Sequence, residues 1–168
     1  MGVFDDKQAR DVIFRIKRGL CGYVSYLASC EMNQAFSEYV LYEPMLRILT
    51  ARNYAVICEH ICPGIEQPLR GDKKRLDFFA SKEGSQFTIE VKWITSNRLS
   101  INSDTEKLQA FAQSTPGALA FLLLFGKKSL VSKAKVDKSI YKEWGTLVFA
   151  DLRKTKYGCR VYRFRGAD

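Results

Sequence analysis

The sequence predicts an α/β fold with a central mixed sheet flanked by helices. Three observations predict it. Helical and strand-like segments follow one another in the order helix, three strands, helix, strand. The run at residues 118–125 is apolar throughout, as expected of a strand covered on both faces. Two further apolar runs, 75–80 and 86–93, flank Ser81-Lys82-Glu83-Gly84-Ser85, which has turn chemistry, and so read as a hairpin.

Each element has its own signal. Residues 7–27 place Ala9, Val12, Ile13, Ile16, Leu20, Val24 and Leu27 along one helical face, with Gly19 and Gly22 weakening the helix. Its polar side carries Arg10, Arg15, Lys17 and Arg18. A second helical region covers 33–52, and Pro44, which lacks a backbone donor, suits a first turn and predicts a break near Glu43. Residues 54–61 read as a strand; a loop and the basic run 70–75 then lead into the hairpin. Ser103 or Asp104 caps a helix through about residue 113, which Thr115-Pro116-Gly117 ends. After the apolar strand, a Lys-rich segment runs to residue 142, and strands at 146–152 and 160–164 close the chain.

With no repeat and no long linker, 1–168 reads as a single domain: a helical extension at 1–32, a core at 33–126 and additions at 127–168. At 168 residues and 46% hydrophobic, the chain suffices for one sizeable core and is short for two. Lys and Arg outnumber Asp and Glu by 27 to 18, and the resulting +9 makes a polyanion, nucleic acid above all, the natural partner. Cysteines at 21, 30, 58, 62 and 159 have no scaffold-like spacing, and the N-terminal residues carry no apolar signal segment. A reducing, intracellular, cytoplasmic setting is the expectation. No apolar run approaches the about 20 residues that span a bilayer, so no membrane span is expected.

The hairpin carries the chemistry. If its turn centres between Glu83 and Gly84, Asp77 falls directly opposite Glu90. Alternation then puts Leu76, Phe78, Ala80, Phe87, Ile89, Val91 and Trp93 on one face, and Asp77, Glu90 and Lys92 on the other. Two opposed carboxylates repel, as do Arg75 and Lys92 beside them. A divalent cation between the carboxylates would relieve the first conflict.

This pattern resembles the PD-(D/E)XK superfamily of restriction-like, metal-dependent nucleases. The resemblance rests on Asp77, on Glu90-Val91-Lys92 thirteen residues later, and on an acid of the upstream helix, Glu43, with Glu38 in reserve. Leu76 stands where the eponymous proline would be. The resemblance implies a restriction endonuclease-like αβββαβ core over residues 38–125. It also implies hydrolysis of phosphodiester bonds with Mg²⁺ or Mn²⁺, in DNA before RNA and as an endonuclease before an exonuclease. Asp77, Glu90 and the Val91 carbonyl would be metal ligands, and Glu43 would bind through water or help hold a second cation. Lys92 would orient the attacking water or deprotonate it, the second role requiring a lowered pKa.

Arg70, Lys73, Lys74 and Arg75 enter the strand at Asp77 and are expected to contact phosphate, with Lys107 as a further contact and Gln109 as an accessory. Cys58, His60 and Cys62 look metal-like, but on a strand they would share one face at successive spacings of about 7 Å, wide for zinc. A non-catalytic nucleic-acid-binding or protein-interaction domain of the same fold is the alternative, as is an RNA-cleaving toxin-type nuclease. Homodimerisation stays open.

Overall fold

The computed structural model describes residues 6–152 and 154–165; the ends of the 1–168 domain reading lie outside them. Helix α1 spans Asp6–Ser29, and 3₁₀ turns at Asn33–Ala35 and Glu38–Leu41 precede α2, Tyr42–Ala51. Pro44 sits in the first turn of α2, where its missing N–H costs nothing. Strands β1 (Ala55–Ile61), β2 (Arg75–Lys82) and β3 (Ser85–Ile94) follow, then α3 (Asn102–Ser114), β4 (Leu119–Lys127) and the single turn α4 (Lys128–Val131). Short β5 (Tyr141–Glu143) and β6 (Val148–Phe149) precede β7 (Tyr157–Phe164). The last two strands differ from the expected 146–152 and 160–164: the first shrinks to two residues, and the second begins three residues earlier.

The strands join one mixed sheet in the order β1-β2-β3-β4-β7-β5, with β6 also on β7. Only the β3–β4 pairing is parallel, because α3 carries the chain back over the sheet between them. Strand β4 is central and buried on both faces. Its Leu119, Phe121, Leu123 and Phe125 join α1, α2 and the inward residues of β3 in one core. Ala120, Leu122 and Leu124 join Leu108 and Phe111 of α3 in a second core on the opposite face. That double coverage is why the run is apolar without alternation. Lys17, expected on the polar side of α1, is 2% exposed and donates to the carbonyls of Trp144 and Thr146, tying α1 to the β5–β6 connection.

The two faces of β2 are not those that strict alternation predicts. Phe78 and Ala80 face α1 and α2, but Leu76 lies in the α3 core. The neighbouring β1 switches faces too: Cys58 packs on the first core and Cys62 in the second. Between them Glu59 has φ +54°, a left-handed backbone that resets the side-chain phase.

Gly126 closes the β3–β4 ladder opposite Ile94, at φ +158°, and a Cβ there would meet the Ile94 carbonyl oxygen at 2.5 Å. Gly126→Ala should therefore destabilise by about 1–3 kcal/mol through backbone displacement. Gly22 of α1 has nothing within 4 Å of an added Cβ. Gly22→Ala should stabilise by about 0.5–1 kcal/mol. Urea midpoints moving in opposite directions for the two variants would bear this out; a neutral Gly126→Ala would count against the close approach.

Candidate active site

The hairpin turn sets the site. Glu83 and Gly84 have φ +50° and +80°, the two consecutive left-handed residues of a type I′ turn, and such a turn fixes register. Pairing runs from Lys82 with Ser85 to Phe78 with Ile89, so the next step brings Asp77 opposite Glu90, as the sequence predicts. There the ladder stops, and the carboxylates replace it. The Asp77 amide donates to Glu90 Oε1 at 3.1 Å, and the Val91 amide donates to Asp77 Oδ2 at 2.7 Å. Each acid thus accepts a hydrogen bond from the opposite strand, which offsets part of their mutual repulsion.

Helix α3 supplies the counter-charges. Asp104 and Lys107 lie three residues apart and so share a helix face, which is turned toward β3. Lys107 Nζ makes an ion pair with Glu90 Oε2, donates to the Arg75 carbonyl at 3.0 Å and lies 3.8 Å from Asp104. Lys92 Nζ lies 3.2 Å from Asp104 and 3.9 Å from Glu38. Glu38, in the 3₁₀ turn ahead of α2, also accepts the Trp93 amide at 3.0 Å. Four carboxyl groups, Glu38, Asp77, Glu90 and Asp104, thus face two ammonium groups, Lys92 and Lys107, an excess of acids over bases.

That excess is visible in the titration of the acids. Burial pushes the Glu90 carboxyl up to about 8, with the Asp77 charge adding to the rise and Lys107 opposing it. Burial likewise raises Asp77 to about 6, against the Val91 hydrogen bond and the Lys107 charge. Burial pulls Lys92 down, but Asp104 and Glu38 outweigh it, so its pKa rises. A lysine general base needs the opposite shift. Arg75, expected beside Lys92 as a repelling charge, is exposed and its guanidinium donates to the Glu59 carbonyl at 3.0 Å.

The structure separates the predicted residues into three groups. Asp77, Glu90, Lys92 and Glu38 come together, and Val91 contributes only backbone, its side chain being buried in the α1/α2 core. Lys107, expected at the substrate surface, is 12% exposed and lies inside the cluster. Glu43 is exposed on α2 and pairs with Arg47, so Glu38 is the upstream acid that reaches Lys92. Arg70, Lys73 and Lys74 are exposed on the loop 62–74, which Gln67 closes by bonding both the N–H and the C=O of Lys74. Gln109 is half-buried on α3 and makes no hydrogen bond to the cluster among the described residues.

Asp104 is the residue that sequence reasoning missed, having read it as a helix cap. The helix starts one residue before Ser103, with no side-chain cap, and Asp104 lies within its first turn. The three-residue spacing from Lys107 is the signal that marks both for one face. Cys58, His60 and Cys62 do not share a face, since the chain switches phase at Glu59; His60 stacks on Phe79 at 4.8 Å instead.

The donor set of Asp77, Glu90 and Glu38 is hard oxygen, which fits Mg²⁺ in kind. Glu90 Oε2 is buried and makes no hydrogen bond of regular geometry, meeting only the Lys107 ammonium. Among the described residues no group of three or more His, Cys, Asp or Glu is arranged to enclose a metal. A cation would therefore have to displace Lys107 from Glu90.

The raised carboxyls set a pH dependence for the metal-free protein. Their ordinary values are 3.8 and 4.5, so the folded chain binds these protons more tightly than the unfolded chain does. Their contribution to stability is therefore present at low pH and lost as pH rises from about 4 to about 8. In chelator, the stability of the wild type should fall across this window more steeply than that of Glu90→Gln. Parallel urea-midpoint profiles would show that Glu90 does not hold its proton.

No protein-family model matches the chain, and neither a curated protein nor a solved structure matches it.

Proposed function

We propose that the protein is a Mg²⁺-dependent nuclease of the PD-(D/E)XK type, cleaving phosphodiester bonds in DNA before RNA and within strands. The observation that carries this reading is the reciprocal bonding of Asp77 and Glu90 at the mouth of the hairpin, with Lys92 two residues on. The order of 3₁₀ turn and α2, β1, β2, β3, α3 and β4 supports it as the αβββαβ core of that superfamily. A surface that only grips phosphate has no use for four carboxylates.

Asp77, Glu90 and the Val91 carbonyl would hold the cation, Glu38 assisting through water. Bound Mg²⁺ supplies Lewis acidity toward water and the phosphoryl oxygens. The chain does the rest. Asp77 and Glu90 are fixed by opposing amides, so their oxygens need little reorganisation. Lys92, kept protonated by Asp104 and Glu38, orients the attacking water and offsets negative charge developing on the phosphoryl group. Lys107 swings from Glu90 toward Asp104, already 3.8 Å away.

One observation favours the non-catalytic alternative. Lys107 neutralises Glu90 as the structure stands, and if it never leaves, the domain binds nucleic acid without cutting. Calorimetric titration with Mg²⁺ separates the two: the nuclease binds it, whereas a Lys107-closed domain does not.

Asp77→Ala should abolish cleavage and divalent binding while the fold persists, since one of two repelling carboxylates is removed. Lys92→Ala should lose about 10²–10³ in kcat and keep metal binding. Glu38→Gln should cost about 10–100-fold, as loss of a supporting carboxylate does, and Glu43→Gln nothing. Undiminished cleavage by Asp77→Ala, or by wild type in excess chelator, would sink the assignment. A larger loss from Glu43→Gln than from Glu38→Gln would reverse the choice of helix acid.

A further inference from the structure

The active-site cluster holds more acids than bases, so attraction for a phosphate chain must come from beside it. The sheet register shows where. Lys92 pairs with Leu124 and Leu124 with Arg160; Glu90 pairs with Leu122 and Leu122 with Tyr162. Residues of one row share a face, so Arg160 and Tyr162 stand on the face of Lys92 and Glu90, two strand spacings or about 10 Å away. A cleft of about 690 Å³ opens there, lined by Lys135, Lys138, Lys142, Arg160 and Arg165.

Glu143 is the one carboxylate among its described lining residues, and it pairs with Arg160 at 3.0 Å. Lys135, Lys138 and Arg165 are exposed and make no ion pair among the described residues. Asp137, between the two lysines, turns its carboxylate to the Ser139 amide and hydroxyl. The cleft wall is tied to the active site: Tyr141 Oη lies 2.8 Å from Thr105 Oγ1 on α3, one residue from Asp104.

We propose that this cleft holds the phosphate backbone of the nucleic acid whose scissile phosphate lies at Asp77, Glu90 and Lys92. The inference rests on the nuclease reading. Leu122 and Leu124, between the two in the row, are buried beneath α3, so a phosphate chain from cleft to cluster would cross the first turn of α3, whose Thr105 meets the cleft wall and whose Asp104 meets Lys92. Phosphates recur along each strand of a duplex every about 3.4 Å of axis, so even the about 10 Å between the β3 and β7 rows corresponds to about three nucleotides, and the path around α3 to more. The exposed Arg70, Lys73 and Lys74 lie on the β1–β2 side, so the cluster is flanked by cations on both sides.

The test combines Lys135→Ala, Lys138→Ala and Arg165→Ala in one chain and measures anisotropy of a short fluorescein-labelled DNA duplex over a salt series, with Ca²⁺ replacing Mg²⁺ to suppress turnover. The slope of log K against log salt should flatten by up to about 2–3 units, at about 0.9 per phosphate lost. Ca²⁺ binding without DNA and thermal unfolding should match wild type, since these side chains touch neither the cluster nor a core. A wild type that binds duplex with a steep slope, and a variant with the same slope, would overturn the cleft and leave the nuclease reading standing. A wild type that neither binds nor cleaves DNA would overturn the nuclease reading and the cleft with it.

Discussion

Two hydrogen bonds at the mouth of a hairpin govern the rest of the site. Where β2 and β3 part, backbone pairing would leave amides unsatisfied, and carboxylates without partners would repel. Asp77 and Glu90 resolve both at once by each accepting a strand amide, at 2.7 and 3.1 Å. The arrangement works in one register only, since a slip of β2 by a single residue would send Asp77 to the face opposite Glu90. The Glu83-Gly84 turn therefore contributes to the chemistry from six residues away, through the count of residues it fixes.

Charge is distributed in opposition to that of the whole chain. A protein of net charge +9 surrounds a centre where carboxylates outnumber ammonium groups. Lys92 and Lys107 differ in consequence. Lys92 is divided between Glu38 and Asp104, the latter shared with Lys107, whereas Lys107 meets Glu90 most closely, an acid that a metal would claim. Both are held as cations by the acids around them; under the proposed nuclease reading the second is the one that would have to move.

The register was legible because a two-residue turn with glycine leaves few alternatives, and β4 was legible because a strand covered on both faces has no polar positions. Composition shows neither of the features that placed the remaining groups. Glu38 and Glu43 both precede or open the same helix, and only the 3₁₀ turn at Glu38–Leu41 decides which one faces β3. Asp104 satisfies the rule for a helix cap as well as the rule for a shared helix face, and local preference cannot choose between them. Leu76 departs from strict alternation beside the point where β1 does, its partner His60 following Glu59, a residue with no glycine-like freedom that takes a left-handed backbone.

The same kink at Glu59 bears on how the molecule meets copies of itself. Strand β1 is the outer edge of the sheet, with Ile57 and Ile61 49% and 44% exposed. A straight edge of that kind is a template onto which a foreign strand can add and on which fibrils grow. A left-handed residue midway along an edge interrupts the regular run of hydrogen-bonding groups that an incoming strand would pair with. The break at Glu59 therefore disfavours extension of the sheet at its β1 edge.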